Sequence, residues 1–415
     1  MIQKQRFKET EIGRIPVEWN PNIFSDVVNV NPKRSLKKGA KAKHVSMSDL
    51  KEFDKKIQTY VVKEFKSGSK FQNRDTLMAR ITPCLENGKT VFVDILNENE
   101  VGFGSTEFIV LSGKSGKTTK EFVYYLSRFS KVRDAAIKSM VGTSGRQRVQ
   151  NDVFNRLTIA LPPITEQKAI AKILSDLDQK IELNRQMNAT LEAIGQAIFK
   201  HWFVDFEFPN EDGKPYRSSG GEMVDSELGE VPVGWEVKTI GDILELSYGK
   251  ALKESNRRPG TVPVYGSNGQ VGWHDEKLVD GPGIIVGRKG NPGIVTWSHT
   301  AFYPIDTTFY VVPKGPIKSM YYLFHALRQQ DLPSLGADSA VPGLNRNMAY
   351  MNCMIAPSIK TMKLFDTHLK ELYTKVQSNG EQTHTLAAIR DALLPKLMSG
   401  KLRVPGVSKL PEVIE

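Results

Sequence analysis

Apolar residues recur three or four apart along one stretch of the chain: Ile170, Leu174, Leu177, Ile181, Leu191, Ile194, Ile198 and Trp202. That spacing draws one stripe down a helix. The stretch from Pro162 to Phe208 therefore predicts a helix of about 40 residues, ~60 Å long at 1.5 Å per residue. Displaced by 195 positions, the eight stripe positions read Phe365, Leu369, Leu372, Val376, Leu386, Ile389, Leu393 and Leu397, all apolar. In a chain that is 40% hydrophobic, eight such matches arise by chance on the order of once in a thousand. Two copies of one long helix are expected, each with an apolar stripe that needs a partner. The polar breaks also coincide, Asn184 and Asn188 falling over Asn379 and Thr383. Either these residues face solvent where the helices diverge, or they lie in the seam and fix the register of a helix pair.

The repeat extends outside the helices. ETEIGRIPVEWNPNIFSDVV, Glu9 to Val28, matches DSELGEVPVGWEVKTIGDIL, Asp225 to Leu244: Gly13, Pro16, Val17, Trp19 and Asp26 fall on Gly229, Pro232, Val233, Trp235 and Asp242. Between these landmarks, NRDTLMARI, GKTVFVDIL and STEFIVLSG read as strands among Gly, Asn and Pro turns, and Glu121–Lys138 has helical spacing. The fold class expected is α+β: two α/β domains with β-rich cores, separated by two long helices in an antiparallel coiled coil, with a pseudo-two-fold internal repeat. The boundaries expected are 1–161 for the first domain, 162–208 for its helix and 209–224 for a linker, then 225–356 for the second domain and 357–415 for the second helix with a C-terminal tail. Pro162 and Pro163 precede the first helix, with Thr165 as its cap, and Pro357 and Ser358 precede the second. Pro395 predicts a kink or an end near Leu394, and Gly400 a stop.

The net charge of +11 invites a polyanion, nucleic acid first. Its distribution restricts that inference. Residues 1–160 hold 29 Lys and Arg against 17 Asp and Glu, whereas residues 211–355 hold 14 against 16. Charge alone supports DNA binding by the first domain; for the second, the argument is the repeat and local clusters such as Arg257, Arg258, Arg288 and Lys289. Lys33, Arg34, Lys37, Lys38, Lys41 and Lys43 form a basic run expected to be a loop. GTSGRQRV, Gly142 to Val149, offers Arg146, Gln147 and Arg148 on a mobile backbone, and VPGLNRN, with Asn345 and Arg346, stands in the same place before the second helix. Tyr265, Ser267 and Asn268 on one turn, and Arg288 and Lys289 in IIVGRKGNPG, are group types that suit base edges. Cys84 and Cys353 form no ligand cluster and are expected as reduced thiols of a cytoplasmic protein. No apolar run suggests a membrane span.

Each catalytic pattern the sequence suggests is incomplete. Gly116, Lys117 and Thr118 resemble the end of a phosphate loop, but Leu111 replaces its first glycine. Gly102 and Gly104 open a dinucleotide pattern that ends in Glu107. His201 and Asp205 stand one turn apart, and Asp54, Glu64 and Lys66 have loose nuclease spacing; neither set makes a constellation. No catalytic residue and no metal ligand is assigned.

Taken with this architecture, LPPITEQKAIAKILSDLDQKI, FKHWFVDFEF, ELGEVPVGW, MARITPCLENGKT, VYGSNGQVGWHDE and IIVGRKGNPG resemble the specificity (S) subunits of type I restriction-modification systems. The resemblance covers essentially the whole chain. It implies two target-recognition domains, each reading half of a bipartite DNA site, and a helix pair that sets the gap and docks methyltransferase subunits. It implies no cofactor in this chain. S-adenosylmethionine, ATP and Mg²⁺ would belong to two adenine-N6 methyltransferase subunits and two ATP-driven translocating restriction subunits. The DNA contacts expected are Lys33, Arg34, Arg80, Lys89, Arg146, Gln147 and Arg148 in the first domain, and Tyr265, Asn268, Arg288, Lys289, Asn345 and Arg346 in the second. The helix-pair seam is expected at Leu174, Leu177, Ile181, Leu191, Ile198, Leu369, Leu372, Val376, Leu386 and Leu393. The alternatives are a self-sufficient DNA-modifying or DNA-cleaving enzyme and a coiled-coil scaffold that binds protein.

Overall fold

The computed structural model describes residues 6–335 and 343–404; the tail beyond 404, and Val341 and Pro342 of VPGLNRN, lie outside the described residues. The chain divides into two units, Met1–Leu183 with Gln382–Glu415, and Asn184–Glu381. Each therefore owns half of each long helix.

In the first unit, Val28–Val30, Phe108–Gly113, Thr76–Ala79 and Thr90–Phe92 form an antiparallel sheet in that spatial order. A second sheet runs Val61–Glu64, Lys41–Val45, Val101–Gly104, Ser69–Gln72, with its central pair parallel. The second unit repeats the first sheet as Leu244–Tyr248, Thr308–Pro313, Gly283–Gly287, Val295–Ser298. It repeats the parallel pair as Val262–Gly266 with Tyr303–Pro304. A capped helix follows the long central strand in both: Thr119 accepts from the Phe122 N–H before Lys120–Arg128, and Ser319 accepts from the Tyr322 N–H before Met320–Gln329. The helical stretch expected over Glu121–Lys138 is two helices, broken at Phe129, whose backbone is extended (φ −61°, ψ 131°). The break lets Val132 and Ala136 turn into the core that Phe122 and Tyr125 already occupy. In the basic run, Lys41 and Lys43 lie on a strand, and only the residues before it form a loop.

The long helices are Ile164–Phe203 and Ile359–Met398. Thr165 lies inside the first and does not cap it; the second is capped by Ser358, whose hydroxyl accepts from the Thr361 N–H at 3.1 Å. Pro395 stands within the second helix and does not end it. Gly400, at φ +72°, follows its end, against Pro16 where a Cβ would come within 2.4 Å of the ring. Within each unit the two helix halves run antiparallel. Leu174, Ile181, Leu369 and Val376 are buried in the seam, and Leu177, Leu191, Ile198, Leu372, Leu386 and Leu393 are partly buried. Ile194 and Ile389 of the predicted stripe are exposed, 42% and 44%, because their neighbours Gly195 and Arg390 take the seam position. The asparagines also belong to the seam. Asn188 donates to the Val376 carbonyl at 3.1 Å, and Asn379, 2% exposed, donates to the Asn188 side chain at 2.8 Å.

At equivalent depth the two seams differ in chemistry. In the first unit Arg390 donates to Asp178 at 2.8 Å, Tyr125 donates to the other Asp178 oxygen at 2.6 Å, and Lys55 reaches Tyr125 and Ser175 at 3.1 and 2.9 Å. Burial holds the Lys55 ammonium below its ordinary pKa. In the second unit the positions of Asp178 and Arg390 are taken by Tyr373 and Gly195, and Tyr373 meets His325 at 3.1 Å. The tryptophans of the two PV-x-W motifs anchor helix ends. Trp19 donates to Glu166 at 2.8 Å, whose carboxylate also holds Arg403 at 2.5 and 2.9 Å. Trp235 stacks on Phe208 at 4.8 Å.

Candidate DNA-contacting surfaces

Strand register locates the same backbone site in both units. Phe108 pairs with Ala79 in the first unit and Thr308 with Gly287 in the second, so the next residue on each partner strand is an arginine, Arg80 or Arg288. The Arg80 N–H donates to the Glu107 carbonyl at 2.8 Å and the Arg288 N–H to that of Thr307 at 2.9 Å. Each arginine carbonyl then accepts from the segment that leads to the long helix, from Val149 N–H and from Leu344 N–H, both at 2.9 Å. Two loops converge on one arginine in each repeat.

In the first unit the site opens as a cleft of about 510 Å³ lined by Lys33, Arg34, Lys70 and Arg80. Lys33 is exposed. Arg34 is half-buried and spends one nitrogen on the carboxylate of Asp75, at 3.1 and 3.2 Å; Asp75 is fully buried. It therefore neutralises a core charge as well as lining the cleft. Arg80 anchors through Nε on the Val149 carbonyl at 3.2 Å. Lys89 does not line the cleft; its ammonium is bonded to the Met47 carbonyl at 3.1 Å. Gln147 is clamped through its backbone to Thr82 at 3.0 and 3.1 Å. Arg148 lies on the Glu107 carboxylate at 2.7–3.1 Å. Arg146 is exposed at the tip of the same loop.

In the second unit Tyr265 is 9% exposed, packed with Ile285 and Phe302, and burial raises its phenol pKa. It shapes the turn and does not present its ring, contrary to the expectation from sequence. Asn268 is exposed and accepts from Asn291. Asn345 caps the helix Arg346–Met351 through its side chain, at 3.1 and 3.2 Å from the Asn347 and Met348 N–H groups. Arg257 donates to the Val271 carbonyl at 2.6 Å, and Arg258 is held by Asp275 and Glu276 at 2.7 and 2.5 Å. That leaves Lys289, exposed, with Arg288 and Arg346. Both guanidinium carbons lie 4.8 Å from the ring centre of Tyr248, a residue the sequence did not single out. Register also corrects one correspondence: Val149 matches Leu344, so Asn345 and Arg346 occupy the places of Gln150 and Asn151, and Arg146–Arg148 match positions 341–343.

His201 and Asp205 form no metal pair, since Asp205 is held by Lys200 at 2.7 and 2.8 Å. Among the described residues no group of His, Cys, Asp and Glu side chains could hold a metal ion, and no helix is long and apolar enough to cross a membrane.

A profile of the type I restriction modification DNA specificity domain matches residues 16–193 and 232–348, one stretch in each repeat. The chain belongs to this family. The type I restriction enzyme MjaIX specificity subunit of Methanocaldococcus jannaschii is 25% identical over 446 residues, covering 96% of this chain and 96% of that protein. The HindI specificity subunit of Haemophilus influenzae is 25% identical over 478 residues, covering 95% and 99%. The type I S subunit from M. genitalium shares the fold, with a TM-score of 0.54 at 17% identity over 92% of this chain and 96% of that one. Type I specificity subunits recognise the DNA target and do not themselves catalyse; a chain of this family works in a complex with DNA and partner subunits.

Proposed function

We propose that residues 1–161 and 225–356 are target-recognition domains that each read one half of a bipartite duplex site, joined across the linker 209–224. The long helices, within 162–208 and 357–415, set the unspecified gap and dock the methyltransferase subunits. The observation that carries this reading is the arginine at one backbone site in both repeats, Arg80 and Arg288, with a second loop closed onto each by a 2.9 Å hydrogen bond. One site built twice by one chain suits two half-sites of one duplex, as symmetric DNA binders use theirs.

The contacts divide by chemistry. Lys33, Lys70 and Arg146 supply positive charge for phosphates, while Arg80, Arg288, Arg346 and Asn268 discriminate bases. Two methyltransferase subunits would bring S-adenosylmethionine, and two translocating restriction subunits would bring ATP and Mg²⁺, in the cytoplasm. The methyltransferase needs its adenine out of the stack, so the whole complex must hold the duplex open.

The test is long-read mapping of methylated adenine in a heterologous host that expresses this chain with a cognate methyltransferase subunit, each alone serving as control. A split motif that appears only with both is expected. Arg80→Ala should relax one half of it and the pair Arg288→Ala, Lys289→Ala the other, by ~1–3 kcal/mol per lost base contact. Lys33→Ala and Arg146→Ala should instead weaken binding evenly across sequences, each lowering the salt slope by about one. Modification by the chain alone would favour the self-sufficient enzyme; a soluble, assembled complex with no motif would favour the scaffold.

A further inference from the structure

Tyr248 ends the strand Leu244–Tyr248 and is 49% exposed. Its ring rests against Phe309 at 5.0 Å and carries two guanidinium groups, those of Arg288 and Arg346, each 4.8 Å from its centre. Two like charges on one ring repel each other. Several other arginines near the surface are met by carboxylates, as Arg148 by Glu107, Arg217 by Glu230 and Arg258 by Asp275. Among the described residues Arg288 and Arg346 have no carboxylate partner. Each is fixed by one nitrogen on a carbonyl instead, Arg288 on Asp306 at 3.0 Å and Arg346 on Leu246 at 3.3 Å. Ring and carbonyl together hold each guanidinium plane, and among the described residues its other N–H groups have no hydrogen-bond partner. That is the arrangement a planar, two-point acceptor requires, and a mobile ammonium would serve a phosphate as well.

We infer that the half-site read by the second unit contains a G·C pair, whose guanine O6 and N7 accept from an arginine that Tyr248 holds in place. The inference rests on the bipartite reading above and specifies its substrate. It also predicts asymmetry. Counting from the strand positions opposite Gly113 and Pro313, Tyr248 falls where the first unit has Pro32, and counting from the closing hydrogen bonds, Arg346 falls where it has Asn151. The first unit retains the arginine and lacks the platform, so disturbing the platform should alter one half of the motif only.

The experiment maps methylated adenine with the assembled complex of full-length chain and methyltransferase for wild type, Tyr248→Ala, Tyr248→Phe, Arg288→Lys and Arg346→Lys. The lysine variants keep both charges, and Tyr248→Phe keeps the ring, so the result does not depend on Tyr248→Ala folding. Expected is a G·C pair in the half altered by these variants, and a loss of preference at that pair by about tenfold or more in Tyr248→Ala and in at least one lysine variant. Tyr248→Phe should behave as wild type, and the other half-motif should be unchanged. A wild-type half-motif made of A·T pairs only would overturn the inference while leaving the bipartite reading standing. So would an unaltered motif methylated evenly more weakly, or equally well, in both lysine variants, the behaviour of a phosphate contact. If the wild-type complex assembles and yields no split motif, the bipartite reading fails and this inference fails with it.

Discussion

Asp178→Ala is expected to cost the first unit ~3–5 kcal/mol, the usual penalty for removing one partner of a buried ion pair. The side chains of Asp178 and Arg390 are 6% and 7% exposed, and Asp178 also accepts a hydrogen bond from the Tyr125 hydroxyl at 2.6 Å. Truncation leaves the Arg390 guanidinium out of water with only the more exposed Asp391 beside it. The double variant Asp178→Leu, Arg390→Leu should cost less than the single, because the charge that pays for desolvation has gone with its partner. A chain of two units need not unfold in one step, so the readout is hydrogen exchange in residues 164–183 and 382–398 against denaturant, with residues 184–203 as the internal reference. A loss below about 1 kcal/mol, or a double variant worse than the single, would contradict a desolvated pair. The pair has a second consequence. At the same two positions the second unit has Tyr373 and Gly195, where a Cβ would already stand 3.0 Å from Leu369. Each helix half therefore fits its own partner: exchanged, Asp178 would face a glycine and Tyr373 an arginine. Buried polar groups of this kind specify pairing more than they add stability.

The helices were legible because their signal is periodic and free of insertions: one displacement of 195 carries the whole stripe. The globular repeat was legible only at its landmarks. From Trp19 to Trp235 the offset is 216; from Arg80 to Arg288 it is 208, from Phe108 to Thr308 it is 200, and at the helices it is 195. Turns of different length consume the difference, so no single displacement could align Arg80 with Arg288, and only strand register does. Residue type was a fair guide to exposed positions such as Lys33, Arg146 and Lys289. It misplaced Tyr265, since a tyrosine in a Gly-rich turn reads the same whether its ring faces solvent or packs under the sheet. Tyr248 in ELSYGK carried no signal, because its significance lies in two arginines 40 and 98 positions away. Ile194 and Ile389 went astray for a simpler reason: apolar spacing cannot foresee that a glycine and a buried arginine will take the seam beside them.

The second unit is expected to lose about 3 kcal/mol of local stability between pH 6.5 and pH 4 through one side chain. His325 is 2% exposed and stacks on Phe199 at 5.5 Å, with a ring nitrogen 3.1 Å from the Tyr373 hydroxyl. Burial, helped by the nearby charge of Arg328, lowers its pKa from 6.5 to about 4. An unfolded histidine takes up its proton near 6.5, while the folded one resists until about 4. The contribution is therefore complete above pH 6.5 and drains away as the pH falls toward 4, at ~1.4 kcal/mol for each pKa unit. Carboxylates titrate mostly below pH 5, so the interval from 6.5 to 5 isolates the histidine, with ~2 kcal/mol expected there. His299, partly buried and shifted in the same direction, contributes to the same slope, which is why the informative quantity is a difference between proteins. Hydrogen exchange of Met320–Gln329, corrected for intrinsic rates, should show opening made easier at pH 5 in the wild type and a distinctly flatter pH dependence in His325→Gln. Parallel slopes would mean that the folded unit accepts the proton as readily as the unfolded chain, and that the Tyr373 contact opens to water. The first unit has Tyr125 in place of this histidine and a pair already charged, so acid should loosen the two ends of the helix pair unequally.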